Sequence, residues 1–270
     1  MTRVPLIVLG AGGRMGRRII ALSQAGDATT VAAAVEVPGS ELIGRDAGEV
    51  AGIDAIGVAI TGHFAAATRA AGSGAVAVDF TSPEAAIEHA RTAAETGTPI
   101  VIGTTGLTAA QRGEIEELST KVAILQAANM SLGVNVLLGL VRQAAARLSG
   151  FDIEIVELHH NKKKDAPSGT ALALAEAAAQ AARLKAPSAF TLARQGMTGE
   201  RKAGEIGVVA LRGGDNVGEH TVMLIGTGER VELTHRAASR DCLAAGAVRA
   251  GAWLAGKPAG LYSMEDLLGL

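Results

Sequence analysis

The sequence predicts an α/β fold: a doubly wound parallel sheet followed by a second α+β domain with a mixed or antiparallel sheet. Two observations predict it. Short continuous aliphatic runs alternate with Ala-rich helical stretches through the first half, the pattern of parallel strands covered on both faces. Past Asn129, consecutive strands with short connections dominate instead. Composition agrees: 48% hydrophobic residues and 35 glycines, against one Trp, one Tyr and four Phe in 270 residues, give an aliphatic core and many turns. The glycines have no three-residue period, which excludes collagen, and 19% charged residues with a positive mean hydropathy exclude disorder.

Val4–Leu9 is the first continuous apolar strand; a Gly-rich turn and a helix over about 15–24 follow, then a strand over 29–36. The run 75–80 is a further strand, and Ser82-Pro83-Glu84 opens a helix with a capping side chain, proline at the first helical position and an acid in the first turn. Strands over 99–103 and 122–126 complete the parallel set. A helix over 132–148 then leads to a strand over 152–158, a polar loop and an Ala-rich helix over 170–185. Strands follow over 190–194, 206–212, 220–225 and 230–234, the last two forming a hairpin through Gly226-Thr227-Gly228-Glu229. A helix over 242–255 precedes a short tail. Residues 1–129 with 240–270 are expected to form a dinucleotide-binding domain, and 130–239 a substrate-binding and oligomerisation domain.

Lys and Arg total 25 against 27 Asp and Glu, so nothing points to a nucleic-acid partner. The single cysteine, Cys242, makes no intramolecular disulfide and suits a reducing compartment, hence a cytoplasmic protein. The apolar run near the N-terminus is too short for a signal peptide. Residues 122–141 carry no charge, but Gln126, Asn129, Ser131, Gly133 and Asn135 interrupt them, so strand, loop and helix are expected there and no membrane span.

Gly10, Gly13 and Gly16, with Gly12 as an extra, stand between the first strand and the first helix. The spacing departs from Gly-x-Gly-x-x-Gly, yet it gives a tight turn, helix N–H groups facing a pyrophosphate and close helix–strand packing. Glu36, at the end of the second strand, is placed to accept from ribose hydroxyls. These residues predict a Rossmann-type domain that binds NADH or NADPH. No cation follows Glu36, since Val37 comes next, which favours NADH; Arg14 and Arg17 are placed to reach the extra phosphate of NADPH from the loop itself.

The stretch His159-His160-Asn161-Lys162-Lys163-Lys164-Asp165-Ala166-Pro167-Ser168-Gly169-Thr170 runs from a strand end into a helix start. Free N–H groups at that start, with lysines beside them, suit a carboxylate-bearing substrate, and a histidine supplies a proton near neutral pH. Adjacent histidines on a strand face opposite ways, and no Cys or carboxylate set accompanies them, so no metal is expected. Phe80, His63 and His89 are taken as structural or surface residues.

The chain resembles the 4-hydroxy-tetrahydrodipicolinate reductase (dihydrodipicolinate reductase) family of the bacterial lysine and diaminopimelate pathway. The motifs are Gly10-Ala-Gly-Gly-Arg-Met-Gly16, Asp79-Phe-Thr81, Gly103-Thr-Thr-Gly106, Ala127-Ala-Asn-Met130 with Gly133-Val-Asn135, Glu157-Leu-His-His160, Lys163-Lys-Asp-Ala-Pro-Ser-Gly-Thr170, Gly218-Glu-His-Thr221 and Thr234-His-Arg-Ala-Ala-Ser239. The resemblance implies NAD(P)H-dependent reduction of a cyclic imine dicarboxylate with loss of water. It implies His159 as proton donor or acceptor, Lys163 as proton donor, and His160, Gly169 and Thr170 as substrate-binding residues. The cofactor residues it implies are Gly10, Ala11, Gly12, Gly13, Arg14, Met15, Glu36, Gly103, Thr104, Thr105, Ala127, Ala128, Asn129 and Met130, and the assembly a homotetramer. Val37 stands where some members carry Arg, and Asn161-Lys162 before Lys163 leaves the part of Lys162 open. The alternatives are another Rossmann-fold amino-acid or imine dehydrogenase, although Cys242 sits in no nucleophile motif, and a dinucleotide-sensing regulator, although no basic DNA-binding helix is visible.

Overall fold

The computed structural model describes residues 2–270. The chain separates into two compact units: one runs to Ser131 and resumes over Asp241–Gly269, the other spans Leu132–Arg240 and includes Leu270.

The first unit is built from β1 (Val4–Leu9), α1 (Arg14–Ala25), β2 (Thr29–Val35), α2 (Ala47–Ala51), β3 (Ile60–Thr61), α3 (Phe64–Ala71), β4 (Val76–Asp79), α4 (Pro83–Thr96), β5 (Ile100–Ile102), α5 (Ala109–Ser119) and β6 (Ala123–Gln126). Seven strands form one parallel sheet in the order β3-β2-β1-β4-β5-β6 and then β12 (Gly260–Tyr262), which follows the returning helix α8 (Asp241–Leu254); α9 (Met264–Leu268) ends the unit. The doubly wound prediction therefore holds, with the strand order reversing between β1 and β4. One face is filled by Ile7, Leu9, Val35, Ile100, Ile102 and Ile124 against Phe64, Ala86, Ile87, Ala90, Ala93 and Ile115 of α3, α4 and α5. Phe64 is the one ring in that cluster, so small helical residues let aliphatic strands and helices approach closely. Ser82 caps α4 by accepting from the Ala85 N–H at 3.3 Å, and Thr108 with Gln111 closes a capping box on α5.

The second unit contains α6 (Leu132–Arg147), β7 (Asp152–His159), α7 (Gly169–Ala181), β8 (Phe190–Thr191), β9 (Ile206–Arg212), β10 (Gly218–Gly226) and β11 (Glu229–Ala237). Its five-stranded sheet has the order β11-β10-β7-β9-β8. β10 is antiparallel to both its neighbours, whereas β7–β9 and β8–β9 are parallel, so the sheet is mixed. α6 and α7 pack Leu137, Val141, Ala171, Leu174 and Ala178 against Ile153, Ile155, Ile206, Val208, Val222 and Leu224.

Several elements differ from expectation. β3, α2 and α3 occupy a stretch in which no element was expected, and the tail contains a strand and a helix; β12 is three residues long, so it lacks a run long enough to stand out. β8 covers only two of the five residues expected, because Arg194 turns aside to ion pairs with Glu154 and Glu205. α7 ends at Ala181 rather than Lys185. Among the described residues, no helix is long and apolar enough to cross a membrane.

Gly246 of α8 lies directly on the loop after β6: a Cβ there would stand 1.7 Å from the Met130 carbonyl oxygen. Gly113 on α5 has nothing within 4 Å of the same position. Gly246→Ala is expected to destabilise by about 1–3 kcal/mol or more, while Gly113→Ala is expected to stabilise by about 0.5–1 kcal/mol. Thermal unfolding of the two variants beside the parent chain checks the contrast.

Candidate active site

In the first unit, strand register explains why scattered motifs meet. Leu9 pairs with Val35 on one side and Asp79 on the other, Asp79 pairs with Ile102, and Ile102 pairs with Gln126. The residues immediately past this row are Gly10, Glu36, Phe80, Gly103 and Ala127, so four of the expected cofactor segments leave the sheet at one carboxyl edge, where α/β sheets bind ligands. Gly10 adopts a positive φ of 74°, and Gly16 presses on the turn so closely that a Cβ would stand 2.1 Å from the Gly10 carbonyl oxygen. Gly13 precedes α1 as its N-cap, and Arg14 and Met15 form its first turn. This is a cradle of the kind that a pyrophosphate requires.

Glu36 closes the loop: its carboxylate accepts from the Gly12 N–H at 2.7 Å and from the Val37 N–H at 3.0 Å. A cavity of about 530 Å³ is lined by Gly10, Gly13, Glu36, Val37, Phe80 and His89 among others. Arg17 is turned onto the Gly12 carbonyl at 2.8 Å, and Arg14 is exposed. Thr105 and Ala128 are exposed, Ala11, Gly103, Thr104 and Met130 are buried, and the Asn129 side chain accepts from the Ser131 N–H at 2.9 Å.

Asp79 is fully buried, and its carboxylate accepts from the Thr104 hydroxyl at 2.7 Å and from the Thr81 N–H and hydroxyl at 3.1 and 3.0 Å, and meets His89 Nδ1. His89, expected to be a structural or surface residue, lines the cavity and contacts this carboxylate. The carboxylate sits at the end of an otherwise apolar strand, Val-Ala-Val-Asp, which is the sequence signal for it.

In the second unit, β7 alternates so that Ile153, Ile155, Glu157 and His159 share one side. Its neighbours continue the rows: Ile206 and Leu224 flank Ile153, Val208 and Val222 flank Ile155, Ala210 and His220 flank Glu157, and Arg212 flanks His159. Apolar rows thus give way to ionisable ones at one end of the sheet. Glu157 has no exposed surface and accepts from both terminal nitrogens of Arg212 at 2.9 and 3.0 Å, from the Ser168 N–H at 3.0 Å and from His159 Nδ1. Burial alone opposes its charge; the hydrogen bonds from Arg212, His159 and Ser168 outweigh it and hold the carboxyl below the usual range.

Ser168 caps α7, accepting from the Ala171 N–H at 3.2 Å and sharing a 3.2 Å hydrogen bond with His220 Nε2. Gly169 and Thr170 follow as the first turn, with Gly169 exposed. Lys163 is the one partly buried lysine of the three, and its ammonium donates to Asp165 at 2.8 and 2.9 Å. That ion pair holds the Asp165 carboxyl below its ordinary range. His160 Nδ1 accepts from the Lys162 N–H at 3.2 Å, and its Nε2 lies 3.3 Å from Arg240. His159 and His220 meet edge to face, with ring centres 5.2 Å apart. The structure therefore gathers His159 with residues not singled out individually from the sequence: Glu157, Arg212 and His220. The period of two running Ile153-Ile155-Glu157 through β7 was the available signal for the carboxylate. Among the described residues, no group of three or more His, Cys, Asp or Glu side chains is arranged to hold a metal.

Two family models cover almost the whole chain: Dihydrodipicolinate reductase, N-terminus, over residues 4–130, and Dihydrodipicolinate reductase, C-terminus, over residues 133–268. The chain belongs to the dihydrodipicolinate reductase family. It is 50% identical over 271 residues to the 4-hydroxy-tetrahydrodipicolinate reductase of Anaeromyxobacter dehalogenans strain 2CP-1, covering 100% of this chain and 98% of that one. The same-named protein of Geobacter sulfurreducens is 47% identical, with 100% of both chains covered. A solved structure of a dipicolinate-bound dihydrodipicolinate reductase from Paenisporosarcina sp. TG-14 matches with a TM-score of 0.78 at 22% identity, covering 98% of this chain and 99% of that one. An amine dehydrogenase from Mycobacterium smegmatis shares the fold with a TM-score of 0.63 at 11% identity, covering 98% of this chain and 96% of that one.

Burial, and next the charge of His159, push the His220 pKa down to about 4, and its Nδ1 is buried without a hydrogen-bond partner, so a protonated ring would hold an unsatisfied N–H. An unfolded chain takes that proton near 6.5. Stability is therefore expected to fall as pH drops from about 6.5 towards 4, by up to about 1.4 kcal/mol per pH unit. The stabilisation from Glu157 is complete above about 4.5 and declines only below it, outside most of this window. Urea unfolding between pH 7.5 and 4.5 checks this, and His220→Gln is expected to flatten the slope.

Proposed function

We propose that this protein reduces 4-hydroxy-tetrahydrodipicolinate to tetrahydrodipicolinate with NADH or NADPH, consuming one proton and releasing water, in lysine and diaminopimelate biosynthesis. The observation that carries the reading is full-length identity of about 50% to proteins of that name, combined with a histidine, a lysine and a helix N-terminus gathered at one sheet end.

The glycine cradle and the carboxyl edge of the first sheet fit a dinucleotide. Gly10, Ala11, Gly12, Gly13, Arg14 and Met15 would hold the pyrophosphate, Glu36 a ribose, and Gly103, Thr104, Thr105, Ala127, Ala128, Asn129 and Met130 the nicotinamide side. Bound there, the reduced nucleotide supplies the hydride. On the substrate side, the Gly169 N–H, Thr170 and His160 bind carboxylate groups, where the start of α7 and the lysine favour negative charge. Lys163 and His159 handle protons as hydride addition leaves electron density on the substrate. Glu36 disfavours an additional ribose phosphate, and Val37, 67% exposed, offers it no cation, which supports a preference for NADH.

The protein is further proposed to act in the cytoplasm as a homotetramer; exposed Val209 and Leu211, on the face of the second sheet turned away from its core, support assembly through that unit.

His159→Gln is expected to lower kcat by about 10²–10⁴-fold while leaving NADH affinity near that of the parent chain. Lys163→Ala is expected to lower kcat and raise the substrate KM together. Stopped-flow nucleotide oxidation with freshly generated substrate tests both, and parent-like kinetics would remove the residue concerned from the mechanism. The same assay is expected to give a kcat/KM about tenfold higher with NADH than with NADPH, a difference of about 1.4 kcal/mol; a large preference for NADPH would reverse the coenzyme assignment.

A further inference from the structure

Glu157 is an unusual group for the inside of a sheet. Ile153 and Ile155 precede it on the same strand face, and an apolar residue there would continue the core. Instead a carboxylate with no exposed surface is surrounded by donors from two other segments, Arg212 on β9 and the Ser168 N–H at the start of α7, and by His159 two residues along its own strand. A buried ion pair is a poor means of gaining stability, since apolar residues of similar volume do as well or better. The arrangement is better explained by what the carboxylate does to the ring beside it.

We propose that Glu157 is a positioning residue for proton transfer: it keeps the His159 proton on Nδ1 and leaves Nε2 as the nitrogen that exchanges protons with substrate. The inference rests on the reading of His159 as the proton-handling group. Both carboxylate oxygens are already committed. One accepts from Ser168 and Arg212, the other from Arg212 and His159 Nδ1. With Arg212 supplying the counter-charge, Glu157 remains ionised, so it acts only as an acceptor and the facing Nδ1 carries hydrogen. Nε2 then points over Gly218, where a Cβ would come within 3.0 Å of it. The other ionisable groups at this cluster are His220 on β10, which meets the ring edge to face, and Lys163 and His235, which act on His220 in turn. His220 is neutral at working pH and does not compete for the proton.

In the step itself, the N–H bond at Nε2 of the imidazolium breaks, the bonding pair stays on nitrogen and the proton passes to the substrate as it receives hydride. Solvent then reprotonates Nε2, and Glu157 stays ionised throughout. Arg212 extends the same brace, since its guanidinium also donates to the Asp165 carbonyl at 2.7 Å and so holds the loop that carries Lys163.

Glu157→Gln separates this role from simple packing, because the amide has the same shape. Its one oxygen is claimed by Ser168 and Arg212, so its NH₂ faces His159 and donates to Nδ1, which reverses the tautomer. Nitrogen-15 NMR of the imidazole rings is expected to show His159 as Nδ1–H in the parent chain and as Nε2–H in Glu157→Gln. The variant is expected to lose about 10²–10⁴-fold in kcat, with NADH affinity unchanged. An Nε2–H tautomer in the parent chain overturns the proposal, and that measurement stands even where the variant fails to fold. A variant with parent-like kcat, or one that loses kcat while keeping the Nδ1–H tautomer, overturns it too. Failure of the parent chain to reduce the substrate overturns the proposed reaction instead, and the two results are distinct.

Discussion

A carboxylate taken out of water keeps its charge only when donors come with it, and each unit of this protein places one such group at the end of a strand. Asp79 and Glu157 are both fully buried, both meet a histidine through Nδ1, and both accept from a backbone N–H. Removing one partner of a buried pair costs about 3–5 kcal/mol, because the charge left behind has nowhere to go. That penalty fixes loops: Asp79 holds Thr81 and Thr104, and Glu157 with Arg212 holds Ser168 at the start of α7 and the backbone at Asp165. The loops that follow these strands are thus tied to the buried cores of their units.

The two sheets reach this result by different routes. In the first unit, parallel register aligns Val35, Leu9, Asp79, Ile102 and Gln126, so every following loop emerges at the same edge. In the second, β7 lies between an antiparallel and a parallel neighbour, and successive rows across the three strands change from Ile and Val to Glu, His and Arg. The hydrophobic rows supply the rigidity, and the terminal rows carry the ionisable side chains. Seven residues of β9 in register with β7 are enough to bring Arg212, 55 positions away in sequence, onto Glu157.

Local signals were legible in the sequence, and long-range ones were not. The glycine turn, Glu36 and the His159–Thr170 stretch are contiguous or separated by one strand and helix, so spacing alone revealed them. The partners of Glu157 were not, because strand register decides that His220 flanks it and that Arg212, beside His159, reaches it with its side chain, and register is set by the whole sheet. His89 escaped for the same reason: its neighbour Asp79 is ten positions away, at the end of another element. β12 escaped because an edge strand of three residues, with Leu261 exposed, lacks the apolar run by which the central strands announce themselves. The change from parallel to mixed sheet past Asn129 was visible in the spacing of the strands, and the order of those strands was not.

The central claim is that hydride from a nicotinamide nucleotide is added to the cyclic substrate at a site whose proton chemistry is set by buried charge. Tracing deuterium from the transferable position of labelled NADH into product by mass spectrometry tests it most directly. The account predicts one deuterium in each tetrahydrodipicolinate formed, matched to one nucleotide oxidised. Nucleotide oxidation without deuterium in that product would contradict it.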